Sequence, residues 1–144
     1  ILEPEAGSGA IVSYAKEEIP GATVHAFETN HKLREILSLQ GVEMIGDDFT
    51  QAKPIPQYDY VLMNPPFENG QDIDHVRHAF QFLKSGGRLV AIMSPGPFFR
   101  QDRKALAFRE WFEDVHNGHK FDLPAGAFKE SGTGVSTVLI VIDK

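Results

Sequence analysis

The sequence contains no cysteine. This absence excludes a disulfide scaffold, a thiolate metal site and a cysteine nucleophile, and it is compatible with a reducing cytoplasm, where we expect the protein to reside. No apolar run approaches the roughly 20 residues that a membrane span needs. No signal peptide is apparent either, so we expect no membrane partner.

An excess of positive charge is also missing. The chain has 14 basic and 20 acidic residues and a formal net charge of −6. A domain with this balance does not hold nucleic acid by bulk charge, although a local basic patch is compatible with it. The six histidines show no metal-ligand spacing. His75 and His78 share one helix face without a third ligand, so we predict a solvated face and no metal site.

Short strand-like runs alternate with amphipathic helical runs along the 144 residues, a length that allows one domain. The predicted strands cover residues 1–3, 23–28, 42–45, 58–63, 88–93, 120–123 and 135–142. The predicted helices cover residues 10–19, 31–40, 72–84 and 103–115. The first strand is truncated because the chain begins at Ile1 and not at Met, so we expect residues upstream of it.

Strand–helix alternation with right-handed crossovers produces a parallel sheet that is covered on both faces. The last two strands have no helix between them and are predicted to pair as an antiparallel hairpin. The sequence therefore predicts a doubly wound α/β fold with a mostly parallel seven-stranded sheet and a C-terminal antiparallel hairpin, in a single domain over residues 1–144. In such sheets ligands bind at the carboxyl ends of the strands, near the switch point.

Two segments at this edge suit a nucleoside ligand. Gly7 and Gly9, between the first strand and the first helix, permit a tight turn whose backbone approaches a ligand closely. Glu28 ends the second strand, where a carboxylate can accept hydrogen bonds from both hydroxyls of a ribose. The alternatives are an ordinary strand–helix turn and a solvated glutamate. NAD and S-adenosylmethionine both carry an adenosine ribose, so this pair does not choose between them.

A third segment, Asp48 and Phe49, follows the third strand. Asp48 can accept from the exocyclic amine of an adenine, and Phe49 can stack on its face. The alternative is a turn or helix cap at Asp48 with Phe49 in the core.

The fourth segment, Asn64-Pro65-Pro66-Phe67, follows the strand 58–63. The two prolines remove two N–H donors and fix the backbone, so carbonyls there can point at a ligand. The Asn64 side-chain oxygen and the Pro65 carbonyl can together accept both protons of an NH₂ group. Two such acceptors stabilise the positive charge that develops when the nitrogen is alkylated. Phe67 can stack on a planar substrate. A proline-rich turn after a strand is the alternative.

These motifs, in this order, resemble the class I S-adenosylmethionine-dependent methyltransferases. Glu-Pro-x-Ala-Gly-x-Gly followed by Asp-Phe and Asn-Pro-Pro-Phe is most similar to the N6-adenine DNA methyltransferases of phage and plasmid type. The resemblance implies S-adenosylmethionine as the cofactor, with Glu3 or Glu5 assisting at its methionine end. It implies cofactor-binding residues Glu3, Pro4, Ala6, Gly7, Gly9, Glu28, Asp48, Phe49 and Asn64. The catalytic residues that it implies are Asn64, Pro65, Pro66 and Phe67.

The favoured acceptor is adenine N6 in DNA, with a base amine in RNA or a glutamine amide in protein as alternatives. We expect a nucleic acid substrate and predict no target-recognition domain in residues 1–144, so that such a region or a partner subunit lies outside this chain. A cofactor-binding module that is inactive alone is another alternative. A dinucleotide-binding oxidoreductase is disfavoured because Val12 replaces the third glycine of that fingerprint.

Two more segments are predicted at the same edge. Phe98, Arg100 and Arg103 form a basic, aromatic stretch that is predicted to bind the substrate, with Phe98 and Phe99 in the core beneath a solvated helix face as the alternative. The loop 129–134 is a predicted lid or an ordinary connection.

Overall fold

A mostly parallel sheet organises the protein, and the computed structural model describes residues 1–125 and 136–144. The described strands are β1 (Leu2–Glu3), β2 (His25–Phe27), β3 (Glu43–Gly46), β4 (Tyr58–Met63), β5 (Leu83–Met93), β6 (His119–Leu123) and β7 (Thr137–Asp143). The described helices are α1 (Ala10–Glu18), α2 (His31–Leu39), α3 (Gln71–Phe80) and α4 (Arg103–Arg109), with α4 continued by a π-helical segment, Glu110–Val115. The predicted lid, 129–134, lies outside the described residues.

The strand order is β3-β2-β1-β4-β5-β7-β6. Pairs among the first five strands are parallel, whereas β7 runs antiparallel to both β5 and β6. This topology confirms the predicted doubly wound sheet with its C-terminal antiparallel hairpin. The chain moves outward from β1 to β3 and then returns to β4 on the other side of β1. The switch point therefore lies between β1 and β4, and the loops that follow these two strands flank it.

Two hydrophobic clusters pack against the sheet, on opposite faces of β2. Ala26 and Phe27 are neighbours on β2 but belong to different clusters, as the alternation of side chains along a strand requires. One cluster includes Leu37 of α2, and the other includes Val76 of α3 and Phe108 of α4. The described members of the cluster that includes Leu37 all come from residues 1–44, so this cover reaches only the part of the sheet around β2.

The prediction that a helix extends to Lys84 is wrong. Helix α3 ends at Phe80, and β5 already begins at Leu83. Leu83 pairs with Tyr58, whereas the next register pair joins Tyr60 to Arg88, so the residues between them form a bulge in β5. Leu83 is fully buried. A buried strand residue fits the helical apolar repeat as well as a helix residue does, and the sequence pattern could not separate the two.

None of the helices in the described ranges is both long enough and apolar enough to span a membrane.

Candidate functional site

A cleft of ≈ 330 Å³ opens where β1, β2, β3 and β4 end, beside the switch point. This volume lies within the range typical of small-molecule sites. The predicted residues that line the cleft are Pro4, Glu5, Glu28, Asp48, Phe49 and Pro66. It is also lined by Thr29, Asp47, Thr50, Gln71 and His75. The sequence motifs therefore located the cleft, but they identified only part of its wall.

The glycine loop sits next to this cleft. Gly7 (φ 55°) and Gly9 (φ 91°) both adopt left-handed backbone conformations, which glycine tolerates best. A Cβ at Gly9 would also approach Leu37 Cδ2 to 2.9 Å, whereas a Cβ at Gly7 would meet nothing within 4 Å. Gly9 is thus required for packing on α2, while the backbone at Gly7 stays open. Ala6, Gly7 and Gly9 shape the loop, but none of them lines the cleft.

The predicted cofactor contact of Glu3 does not agree with its position. Glu3 is 1% exposed, and its Oε1 accepts a hydrogen bond from the Glu5 backbone N–H at 3.2 Å. Within the described residues its Oε2 has no hydrogen-bond partner. Burial raises the pKa of the Glu3 carboxyl well above its ordinary value. The side chain lies behind the loop, so Glu5, which lines the cleft, is the acid of this motif that a ligand can reach.

Glu28 is held by two backbone groups. Its Oε1 accepts from the Gly7 N–H at 2.8 Å, and its Oε2 accepts from the Asn30 N–H at 2.8 Å. Asn30 caps α2 with its own side chain. The carboxylate therefore bridges the glycine loop and the start of α2. A carboxylate has about four acceptor positions, so each oxygen keeps capacity for a further donor.

Asp48 agrees with both interpretations of its segment, as a cap and as a cleft residue, whereas Phe49 agrees only with a place in the core. Asp48 caps a short 3₁₀ turn by accepting from the Thr50 N–H at 3.0 Å, and it is exposed at the cleft. Phe49 is only 2% exposed and packs against Phe27 and His75. Its ring forms a buried wall of the cleft, so the structure offers no open face for the predicted stacking on adenine. The reason is local: the turn that exposes Asp48 directs the next side chain into the core.

The segment after β4, Asn64–Phe67, contains the two groups that are predicted to accept the protons of an amine. Asn64 is partly buried, Pro65 is buried, Pro66 is exposed and lines the cleft, and Phe67 is partly buried. No hydrogen bond joins the Asn64 side chain to another described residue. In the part of the chain that the structure describes, this amide oxygen is thus available, and its role as an amine acceptor stays a prediction.

An unpredicted side chain, Asp72, anchors the helix that follows this segment. Asp72 is fully buried near the start of α3. Its Oδ2 accepts from the Ser94 N–H at 2.9 Å and from the Ser94 hydroxyl at 2.7 Å, and its Oδ1 accepts from the Ile73 N–H at 3.1 Å. These bonds tie the start of α3, which follows residues 64–70, to the end of β5. An acid in the first turn of a helix is common, and no motif indicated that Ser94 would be its partner.

Some side chains of the basic, aromatic stretch are already used by packing or by contacts within the protein. Phe98 packs edge-on against Phe108 and Phe112, so packing accounts for it and the predicted substrate contact of Phe98 is not adopted. The exposed aromatic side chain is its neighbour Phe99, at 66%. Two basic residues are engaged: Arg100 contacts Asp102 at 3.5 Å, and Arg109 donates to the Pro97 carbonyl at 2.8 Å. Arg103 is exposed at the start of α4.

His75 does not lie on a solvated face, so that prediction is wrong. Its Nδ1 lies 3.0 Å from both carboxylate oxygens of Glu5, and its ring meets Phe49 edge-on at 5.3 Å. The hydrogen bond to Glu5 raises the pKa of His75, and burial opposes this shift. His78, one turn on, bonds the Phe49 carbonyl at 2.9 Å. No cluster of three or more His, Asp or Glu in residues 1–125 and 136–144 is arranged to hold a metal ion.

Comparison with known proteins gives a family match. The sequence model of the methyltransferase small domain family matches residues 1–121. No curated protein sequence matches the chain.

Solved methyltransferases share its fold. The methyltransferase subunit of a type I restriction-modification system from Streptococcus thermophilus is 21% identical, with a TM-score of 0.82 over 99% of this chain and 39% of that one. The plantazolicin methyltransferase, in complex with S-adenosylhomocysteine, is 10% identical, with a TM-score of 0.63 over 99% of this chain and 75% of that one. A T. thermophilus 16S rRNA methyltransferase, in complex with S-adenosylmethionine and guanosine, is 17% identical, with a TM-score of 0.64 over 99% of this chain and 34% of that one.

The chain thus spans about two fifths of the length of the restriction-modification subunit that it matches.

Proposed function

The chain belongs to the methyltransferase small domain family, and from this premise we propose that it transfers a methyl group from S-adenosylmethionine to a conjugated amine. One observation carries the proposal: the cleft at the switch point has a braced carboxylate, Glu28, on one side and Pro66, from the segment Asn64–Phe67, on the other. A nucleoside cofactor and an amine would thereby meet at one sheet edge.

The residues present fit this cofactor. The two oxygens of Glu28 are oriented by separate backbone N–H groups and retain acceptor positions for the two ribose hydroxyls. Asp48 is exposed at the cleft, where its carboxylate can accept from an adenine amine. Four carboxylates line the cleft, which suits a ligand with a positively charged sulfonium: Glu5, Glu28, Asp47 and Asp48. When bound, S-adenosylmethionine supplies an electrophilic methyl group.

The role of the Asn64 segment is to hold the acceptor. The Asn64 side-chain oxygen and the Pro65 carbonyl accept the two protons of the amine and orient its lone pair. Because the two prolines fix the backbone, the Pro65 carbonyl needs little reorganisation as positive charge develops on the nitrogen. Pro65 is buried, and Asp72 ties the helix that follows the segment to Ser94 after β5, which favours a rigid geometry. Positioning of this kind supplies much of the rate.

Adenine N6 in DNA is the acceptor that we favour. The support is the Asn-Pro-Pro-Phe segment together with the fold shared with a restriction-modification subunit. The shared fold also extends to an rRNA methyltransferase and to the plantazolicin methyltransferase, so an RNA base amine and a peptide amide enter the test as competing acceptors. We further propose that target recognition depends on a region or partner subunit outside these residues, with Arg103 and Phe99 at the substrate side.

The test is a transfer of labelled methyl groups. The protein is incubated with labelled S-adenosylmethionine and, separately, with DNA, RNA and cell protein. We expect label in DNA, at adenine N6, and none with the variant Asn64→Ala. Label in RNA or protein alone would replace the acceptor, and no label in any of them would favour a cofactor-binding module. Calorimetry separates the cofactor from the acceptor: S-adenosylhomocysteine should bind and NAD should not.

A further inference from the structure

The cofactor cleft brings a basic side chain together with several acids. Of its lining residues in the described ranges, four are carboxylates and one is an imidazole, that of His75. His75 reaches across from α3 to Glu5 in the glycine loop, so the pair joins two elements that are 70 positions apart in the sequence. The pair lies at the wall of the cleft, where its charge acts on whatever the cleft holds.

The pair is partly shielded from water. The side chains of His75 and Glu5 are 14% and 23% exposed. The Phe49 ring covers one edge of the imidazole. A charge in such a place is screened less than one on the open surface. A change in the protonation of His75 therefore changes the electrostatic potential within the cleft.

The cofactor and its product differ by one charge. S-adenosylmethionine carries a positive sulfonium, and S-adenosylhomocysteine carries a neutral thioether in its place. A cationic imidazole at the wall opposes the sulfonium and neutralises Glu5. A neutral imidazole leaves Glu5 free to attract the sulfonium. The neutral thioether of S-adenosylhomocysteine responds to either protonation state of His75 much less than the sulfonium does.

We propose that the Glu5–His75 pair determines the preference of the cleft for S-adenosylmethionine over S-adenosylhomocysteine, and that this preference increases as His75 loses its proton. The inference rests on the proposed cofactor. It makes Glu5 and His75 specificity-determining residues that act through charge, with no part in the transfer itself.

The direction of the pH effect follows from the groups around His75. Glu5 is its hydrogen-bond partner, and Asp74 and Asp48 act on it from its own helix and from the turn after β3. All three raise the pKa of His75 above its ordinary value of 6.5, against the opposing effect of burial. Further ionisable groups line the cleft or lie one helical turn away: Glu28, Asp47 and His78. At mildly acidic pH the imidazole is cationic, and above its raised pKa it is neutral.

The experiment measures dissociation constants of both ligands by calorimetry at about pH 6 and about pH 8.5, on either side of the titration range of a histidine. For the wild type, the preference for S-adenosylmethionine should rise roughly three- to tenfold between these pH values, as expected for one partly screened charge at the site. In His75→Gln this dependence should vanish. Titration of the ligands themselves is common to both proteins and cancels in the comparison.

Two further variants control the result. His31→Gln removes an exposed histidine that pairs with Glu35 outside the cleft, and it should keep the wild-type dependence. Glu5→Gln removes the partner of His75. Its preference for S-adenosylmethionine should fall, and nuclear magnetic resonance of the ligand-free protein should show the His75 pKa displaced downward. This second variant keeps the test decisive if His75→Gln does not fold.

The outcomes separate this inference from the proposed function. Equal pH dependence in the wild type and His75→Gln, with both ligands bound, would overturn the inference alone. An unchanged His75 titration in Glu5→Gln would also overturn it. If the wild type binds neither ligand, the proposed function and the inference fail together.

Discussion

The substitution Glu28→Gln tests the nucleoside half of the cleft. The carboxylate accepts two backbone N–H groups, from Gly7 and Asn30, each at 2.8 Å. A glutamine at this position has one acceptor oxygen, and its NH₂ group must face the second donor. One charge-assisted bond is lost and the other is weakened. Because Glu28 is only partly buried, we expect the free energy of unfolding to fall by about 1–3 kcal/mol.

Glu28→Gln should also weaken the binding of the ligand. A ribose hydroxyl that donates to a carboxylate makes a charge-assisted hydrogen bond, which a neutral amide replaces poorly. We expect the dissociation constant of S-adenosylhomocysteine to rise about 10- to 100-fold. Chemical denaturation measures the first quantity, and calorimetry well below the unfolding midpoint measures the second.

A matched variant separates the two effects. Glu17→Gln removes the same charge from the exposed surface of α1 and should change neither quantity. If Glu28→Gln loses stability but binds S-adenosylhomocysteine as the wild type does, the carboxylate only braces the loop, and the reasoning about the ribose is refuted.

Four further substitutions probe other parts of the account. Asn64→Ala should lower the turnover about 10²- to 10³-fold, because it removes one fixed dipole at the developing positive charge. The affinity for S-adenosylhomocysteine should stay within about threefold of the wild-type value. A normal rate would show that Asn64 does not accept the amine. Asp72→Asn should lower the free energy of unfolding by about 1–3 kcal/mol, because the buried carboxylate accepts three hydrogen bonds; thermal denaturation measures this, and an unchanged midpoint would refute it. Burial raises the pKa of the Glu3 carboxyl in the folded state, so the folded chain keeps a proton there that the unfolded chain releases above a pH of about 4.5. The wild type therefore loses stability as the pH rises above this value. Glu3→Gln removes the titrating group and should make this loss smaller. Denaturation across pH shows this as a difference from wild type that grows above that value, and parallel curves would contradict it. Arg103→Ala should reduce the salt dependence of nucleic acid binding by about one unit of slope, and an unchanged slope would mean that the residue does not contact phosphate.

The fold was predictable because its signals are local. Apolar residues at helical spacing on 31–40 and a strand-like run at 58–63 each follow from a few neighbouring residues, and short connections determine how such elements join. The error at Leu83 has the same origin. Its apolar side chain continues the period of α3, but it is used by β5, and only the pairing with Tyr58 decides between them.

The site was predictable only where a motif carries its chemistry within a few positions. Glu28 and Pro66 line the cleft as their motifs indicated. The contact between Glu5 and His75 could not be predicted, since it depends on how α3 lies against the loop after β1. Phe49 shows the opposite limit: the sequence places an aromatic residue beside Asp48, but the packing of neighbouring rings decides that its ring faces inward.

We propose that an amine-accepting segment and a nucleoside cleft meet at the switch point of one sheet. A crystal structure of the protein with S-adenosylhomocysteine would show whether they do. We expect the ribose hydroxyls within hydrogen-bond distance of Glu28, with the sulfur facing an open space bordered by the Asn64 side-chain oxygen. Ligand bound elsewhere, or an Asn64 amide bonded into the core with no space beside it, would refute this proposal.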